Sequence, residues 1–317
     1  MDVVFSMVGE NRPDRWTDQM LNAVLAIRTF GGSLADAPGM IGLVEGARRD
    51  LREALESLGA HVRVVEPGHG EYRYANKLRA LELPAGVTAD VVVCIDVDVA
   101  VLGDIAAHVP ADAVGVRIAA RDRWPEDLWL DLFGRWDLPV PSERHLLLYG
   151  QRSFRYANTG VVTVPWRYRD ALRERWGSYV ERLWEVGDLM PQRYLNDQYA
   201  LAFALYDLGV AVAELPAHLN FNWSWTPDLL AGDYRDHFRP PFVLHYHKEL
   251  DRDGSVRHVA YEPLNPLVDE LNRRRRGVMR PPRPLAQRLP PAVANSRAYT
   301  GARHLYKQAK ALAGPHR

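Results

Sequence analysis

Val91-Val92-Val93-Cys94-Ile95-Asp96-Val97-Asp98-Val99-Ala100-Val101-Leu102-Gly103-Asp104-Ile105 is the most informative stretch of this chain. Its five leading apolar residues lack the polar alternation of a strand with one wet face. An unbroken run of that length suits a central parallel strand covered on both sides. In extended backbone, residues two apart point the same way, so Asp96 and Asp98 aim their carboxylates at one spot about 7 Å wide. They come where the strand ends, the edge at which parallel α/β sheets bind ligands. Two carboxylates so placed repel unless a cation sits between or beside them, and a divalent metal holding a diphosphate would supply it. The plainer alternative is a pair of solvated turn aspartates, or caps for 103–108.

Outward from that strand, β-branched runs alternate with helix-period segments. Strands are expected at 3–8, 40–44, 61–65 and 91–95. Helices are expected at 16–30, with Trp16, Met20, Val24 and Ile27 on one face, at 47–58 and, shorter, at 74–83. Gly31, Gly32 and Gly59 close the first two helices. After Asp104 the pattern loosens into strands at 113–118, 158–164, 212–215 and 242–247 and helices at 124–132, 168–183 and 195–208. No internal repeat is visible. The rhythm predicts an α/β fold with a mostly parallel, Rossmann-like central sheet and helices on both faces, in one domain over 1–272.

The 317 residues are 47% hydrophobic and 25% charged, enough for a sizeable core, which excludes a collagen-like or mostly disordered chain. Cys94 is the single cysteine, so neither an intrachain disulfide nor a cysteine-built zinc site is available. The formal charge is zero, but the segment 273–317 holds 12 Lys/Arg and no Asp/Glu, leaving 28 basic against 40 acidic residues before it. Arg273-Arg274-Arg275-Arg276 followed by Pro281, Pro282, Pro284, Pro290 and Pro291 predicts a tail without a core, with an amphipathic helix at 297–312. Such a tail suits an anionic membrane surface; nucleic acid is not an expected partner. The start of the chain has no basic leader. The most apolar stretch, interrupted by Asp96 and Asp98, falls short of the ~20 residues that cross a bilayer. The expected location is the cytoplasm, with peripheral attachment to the inner face of the membrane through the tail.

Further segments carry polar residues at chemically suggestive positions. In order they are Tyr74-Ala75-Asn76-Lys77-Leu78, Ala157-Asn158-Thr159-Gly160-Val161-Val162, Leu195-Asn196-Asp197-Gln198-Tyr199-Ala200-Leu201, Leu215-Pro216 with Leu219-Asn220-Phe221-Asn222-Trp223, and Val243-Leu244-His245-Tyr246. Together with the Asp-x-Asp strand and Gly103-Asp104-Ile105, this series resembles the GT-A-fold glycosyltransferases. It resembles in particular the retaining family that includes glycogenin and bacterial lipopolysaccharide galactosyltransferases. The resemblance spans about 3–248, and the order of the segments carries it.

That resemblance implies transfer of a hexose from a nucleotide diphosphate sugar, UDP-linked, to a hydroxyl on a glycan, lipid-linked or small-molecule acceptor, with retention of anomeric configuration. It implies Asp98 and His245 as ligands of Mn2+ (or Mg2+), with Asp96 on the metal or the ribose hydroxyls. Asp197, Gln198 and Asn158 would orient the sugar, with Gly160 beside it. Lys77 and Lys248 would face the donor phosphates, and Ser6, by fold analogy, would lie near the base. The chemistry agrees: a leaving diphosphate needs its growing charge neutralised, and two carboxylates with an imidazole make the mixed oxygen and nitrogen site that Mn2+ accepts. His247 points the same way as His245 along an extended strand and competes with it; the family places its histidine after two aliphatic residues, which favours His245.

Two departures stand out. Lys248 and Asp251 occupy the positions where the family has glycine and lysine after the histidine, and Tyr199 stands where it has a third acidic residue. The plainer alternative for Asp197 and Gln198 is the start of a helix at 195–208 with Asn196 as its capping residue. Trp124, Trp129, Trp223 and Trp225 are candidates for exposed rings that stack on sugars. Two other classes remain: a haloacid-dehalogenase-type phosphohydrolase with Asp96 as nucleophile, and a non-catalytic nucleotide-sugar binder.

Overall fold

The computed structural model of the chain describes residues 1–10, 15–44, 49–187, 193–239 and 243–278. The early β-branched runs form β1 (Val3–Glu10), β2 (Gly39–Val44), β3 (Ala60–Val65) and β4 (Val91–Ile95). Between them lie α1 (Arg15–Phe30), α2 (Arg49–Ser57) and a 3-10 stretch (Arg73–Leu81). β5 (Val99–Val101) leaves directly after the two aspartates, followed by β6 (Val114–Ile118), α3 (Glu126–Arg135) and the short pair β7 (His145–Leu146) and β8 (Arg152–Ser153). Then come β9 (Ala157–Pro165), α4 (Arg169–Val186), α5 (Asn196–Leu208), β10 (Val212–Glu214), β11 (Phe221–Asn222), α6 (Gly232–Asp236), β12 (Val243–His245) and α7 (Asn265–Val278).

Seven strands make the main sheet in the order β10-β6-β9-β4-β1-β2-β3. Neighbours pair in parallel except β9, which runs antiparallel to both β4 and β6. The unbroken apolar run of β4 is explained by what lies on either side. Val91, Val93 and Ile95 join a cluster with Met20, Val24 and Ile27 of α1 and Leu51 and Leu55 of α2. Val92 and Cys94, facing the other way, join Trp176 of α4 and Phe203 of α5. A strand packed on both faces has no position left for a polar side chain until it emerges at Asp96. The mostly parallel sheet with helices on both faces is therefore the fold that forms.

A second sheet, β11-β12-β5, does what the main sheet does not. β12 pairs antiparallel with β5 in the register His245↔Val99, Leu244↔Ala100, Val243↔Val101. Val99 follows Asp98 directly, so this pairing brings His245 from late in the chain to the end of the central strand. β11 pairs in parallel with β12, setting Asn222 opposite His245.

Three corrections to the sequence reading follow from packing. Trp124, Trp129 and Trp225 are buried rather than exposed, and only Trp223 is half-exposed. Trp129 Nε1 and Ser153 Oγ donate to Asp122 Oδ2 at 2.7 and 2.5 Å, while the Tyr199 hydroxyl donates to Asp122 Oδ1 at 3.0 Å. This satisfied buried carboxylate ties the excursion after β6 to α5. Asn196 begins α5 but makes no side-chain cap. Lastly, Arg273, Arg274, Arg275 and Arg276 lie on α7, so the boundary drawn at 272 falls inside a helix and the first compact unit runs Met1–Val278. Arg273 and Arg274 pair with Glu270, and the buried Arg275 pairs with Asp18 of α1. The helix expected at 297–312 and the membrane-facing tail lie outside the described residues. Among the described residues, no helix is long and apolar enough to cross a membrane.

Candidate functional site

The two aspartates emerge from β4 into a cleft of about 910 Å3 lined by Lys77, Asp96, Asp98, Asn158, Asp197, Gln198, His245, His247 and Lys248 among others. A smaller recess adjoins it at the end of β1, lined by Val8, Gly9 and Glu10 on one side and Arg73, Tyr74 and Asn76 on the other. Almost every residue singled out in the sequence therefore meets at one edge of the sheet. Ser6 does not: it is buried inside β1 and its hydroxyl donates to the Met40 carbonyl oxygen at 3.2 Å. The residues of β1 that reach the adjoining recess lie two to four positions further on.

Asp96 and Asp98 part company. Lys77 Nζ lies 3.1 Å from Asp96 Oδ1 and 2.9 Å from Asp197 Oδ2, and donates to Thr159 Oγ1 at 2.7 Å. Burial alone would lower the Lys77 pKa, but Asp197 and Asp96 outweigh it and raise it above the ordinary lysine value. For Asp96, burial pushes the carboxyl up, Lys77 opposes and neighbouring Asp98 adds to the rise. Asp197 is sealed in: Tyr72 donates to its Oδ1 at 2.8 Å, Thr159 donates to its Oδ2 at 2.7 Å, and its own N–H donates to the Tyr72 oxygen at 2.8 Å. Burial and Asp197 together raise the Tyr72 phenol pKa well above its ordinary value. Gln198, next along α5, is the member of that pair left half-exposed in the cleft.

Asp98 faces two imidazoles instead of an ammonium. Its Oδ1 lies 3.1 Å from His245 Nε2, and its Oδ2 lies 3.7 Å from His247 Nδ1. Burial would raise the Asp98 pKa, yet His245 and His247 outweigh it and hold the carboxyl well below the usual range. His247 is pushed down by burial and by His245, the two ring centroids being 4.0 Å apart. Among the described residues, Asp98, His245 and His247 are the group whose ligating atoms come together, all within 4.8 Å of one another. One carboxylate oxygen and an imidazole nitrogen facing each other across 3.1 Å is a donor set that a divalent cation fits. The carboxylate of Asp96, named with Asp98 as a ligand, is turned toward Lys77 and stands outside this group.

The remaining residues fill supporting places. Asn158 lines the cleft, while Gly160 is buried behind it. A Cβ on Gly160 would come within 2.6 Å of Asn220 Nδ2 and 2.9 Å of the His245 ring, so this glycine makes room for the histidine. Lys248 is exposed at the rim. Tyr199 sits in the core, stacked 3.4 Å from Trp124 and 4.3 Å from Tyr156, which is why an acidic residue is absent there. Sequence reasoning passed over Tyr72, and it quoted Thr159, Asn220 and Asn222 within their segments without giving them a role. Their partners are far away along the chain, and only the two asparagines, set two apart ahead of two histidines also set two apart, left a trace.

The fold is of the GT-A class. A family profile described as the Rhodobacterales glycosyltransferase domain matches residues 42–209, more than half of the chain, and the chain belongs to that family. No curated protein matches it. Among solved structures, an active-site mutant of LgtC is similar with a TM-score of 0.56 at 17% identity, covering 88% of this chain and 100% of that one. Mouse xyloside xylosyltransferase 1 is similar with a TM-score of 0.47 at 13% identity, covering 78% of this chain and 98% of that one. Glycosyltransferase GlyE of Streptococcus pneumoniae TIGR4 is similar with a TM-score of 0.47 at 16% identity, covering 89% and 66%. The family match makes the protein a glycosyltransferase and favours neither the phosphohydrolase nor the non-catalytic reading.

Proposed function

We propose that this glycosyltransferase transfers a hexose from a UDP-linked donor to a hydroxyl acceptor, aided by Mn2+ or Mg2+ held between Asp98 and His245. The observation that carries the reading is the 3.1 Å approach of His245 Nε2 to Asp98 Oδ1 at the mouth of the cleft. A bound divalent cation supplies Lewis-acid stabilisation of the leaving diphosphate. The protein's own groups do the rest. Asp98 and His245 hold the cation, and Asp96, whose two oxygens both face Lys77, keeps lone pairs for ribose hydroxyls. Gln198 and Asn158 reach the sugar, Lys248 adds positive charge at the rim, and the recess beside Gly9 and Tyr74 receives the base.

Asp197 and Lys77 take a different part from the one their motifs implied. Lys77 is held by Asp96, Asp197 and Thr159, and Asp197 by Lys77, Tyr72 and Thr159, so in this reading they set the floor of the sugar site and fix Asp96. Basic residues of the tail would bring the enzyme to an anionic membrane carrying the acceptor. The direct test is nucleotide release from UDP-, GDP- and TDP-hexoses with Mn2+ present and with the metal chelated. Turnover of UDP-hexose alone, lost on chelation, is expected; equal turnover under chelation contradicts the metal, and preference for another base contradicts the donor.

A further inference from the structure

His245 and His247 look equivalent beside Asp98, but the groups behind them are not. The N–H of Gly160 donates to Asn158 Oδ1 at 2.9 Å, which fixes which side-chain atom of Asn158 is the acceptor. Asn220 Nδ2 donates to the same oxygen at 2.5 Å. Its amide orientation is thereby set, and Asn220 Oδ1 lies 2.9 Å from His245 Nδ1. An amide oxygen only accepts, so Nδ1 of His245 must carry a hydrogen. The nitrogen aimed at Asp98 is then Nε2, with its lone pair available to a metal.

Behind His247 the polarity is reversed. The N–H and hydroxyl of Ser224 both donate to Asn222 Oδ1, at 3.0 and 2.8 Å. Asn222 Nδ2 is therefore the atom 2.7 Å from His247 Nε2, and an amide nitrogen only donates. Nε2 of His247 is thus an acceptor, and in the neutral ring the hydrogen sits on Nδ1, the nitrogen aimed at Asp98 Oδ2. His247 is held there on a backbone with φ of 53°, its carbonyl oxygen taking a hydrogen bond from the Gln19 side chain. A non-glycine residue in the left-handed region is uncommon, and such conformations collect at functional sites.

We propose that Asn158 and Asn220 form a relay that turns His245 into the metal ligand, while Asn222 leaves His247 with its hydrogen facing Asp98 across 3.7 Å, so that His247 orients this carboxylate and is not a second ligand. Asn158, Asn220 and Asn222 are positioning residues. The same logic explains why Gly160 must lack a side chain, since any Cβ would collide with Asn220 and the His245 ring. The inference rests on the metal reading for its purpose, but its hydrogen placement is a property of the metal-free protein. Partners of metal-bound histidines fix tautomer and ring orientation, and their loss typically costs about 10- to 100-fold in metal affinity.

Two measurements on the full-length protein test it. In metal-free protein, 15N NMR of the histidine side chains should place a hydrogen on Nδ1 of both His245 and His247. Asn222→Leu should shift His247 toward the Nε2-protonated form. In Mn2+ titrations followed by electron paramagnetic resonance, Asn220→Leu and Asn158→Leu should bind about 10- to 100-fold more weakly. Asn158→Asp, which keeps the acceptor for Gly160 and Asn220, should stay near wild type, and His247→Gln should lose less than His245→Gln. If Asn158→Leu and Asn158→Asp bind Mn2+ alike, or Nδ1 of His245 carries no hydrogen, the relay is overturned. If wild type binds no Mn2+ while the NMR pattern holds, the metal reading falls and the hydrogen-bond assignment stands.

Discussion

Asp96 and Asp98 stand two residues apart at the end of one strand, yet they face opposite kinds of neighbour. Around Asp96 the neighbour is an ammonium, Lys77, which it shares with Asp197, and Thr159 and Tyr72 donate to the Asp197 oxygens. Around Asp98 the neighbours are two imidazoles, of His245 and His247. The difference teaches that a closely spaced acidic pair is not one site. In the proposed reading, one carboxylate belongs to the permanent framework and the other takes a cation from outside.

Removing the lysine attacks the framework side and should have the largest effect. Lys77→Met leaves Asp96 and Asp197 buried without their counter-charge, so unfolding stability should fall by about 3–5 kcal/mol in denaturant titrations. On the other side, Asp98→Asn changes little volume and removes the charge that faces the cation. Its transfer rate should drop by about 100- to 1000-fold, with circular dichroism unchanged. If the two substitutions gave the same profile of stability and activity loss, the division between the aspartates would be wrong.

Gly160→Ala probes the boundary between the regions. Crowding Asn220 and His245 should cost about 1–3 kcal/mol of stability and weaken Mn2+ binding, while the Lys77 network stays intact. The smallest effect should come from deleting 279–317. Turnover of a soluble donor and acceptor should not change, whereas binding to anionic liposomes should be lost in sedimentation assays; unchanged liposome binding would remove the tail from the account.

Much of the main sheet was legible because its signals are local. The five apolar residues of β4, the apolar stripe of α1 and the β-branched runs of β1 to β3 each declare themselves within a short window. The reversed direction of β9 was not, since an apolar run buried on both faces carries no sign of its polarity. β5 and the helix α7 were also hidden, the first by its three-residue length and the second because its four arginines look like the start of a tail. In the site, spacing pointed to the two aspartates and the family resemblance to His245, Gln198 and Asn158, all of which line the cleft. The true partners of Lys77 and the burial of Ser6 depend on contacts across the fold, and no local pattern encodes them. Tyr199 shows the same limit: its place in the motif is plain, but its role in holding Asp122 is seen only once the excursion folds over α5.

The central claim is that a divalent cation sits between Asp98 and His245. Anomalous diffraction from crystals soaked in Mn2+ with UDP tests it most directly. A single peak within coordination distance of Asp98 and His245 Nε2, and absent from Asp98→Asn crystals, is the predicted result. A peak elsewhere, or one that persists in the variant, would contradict the account.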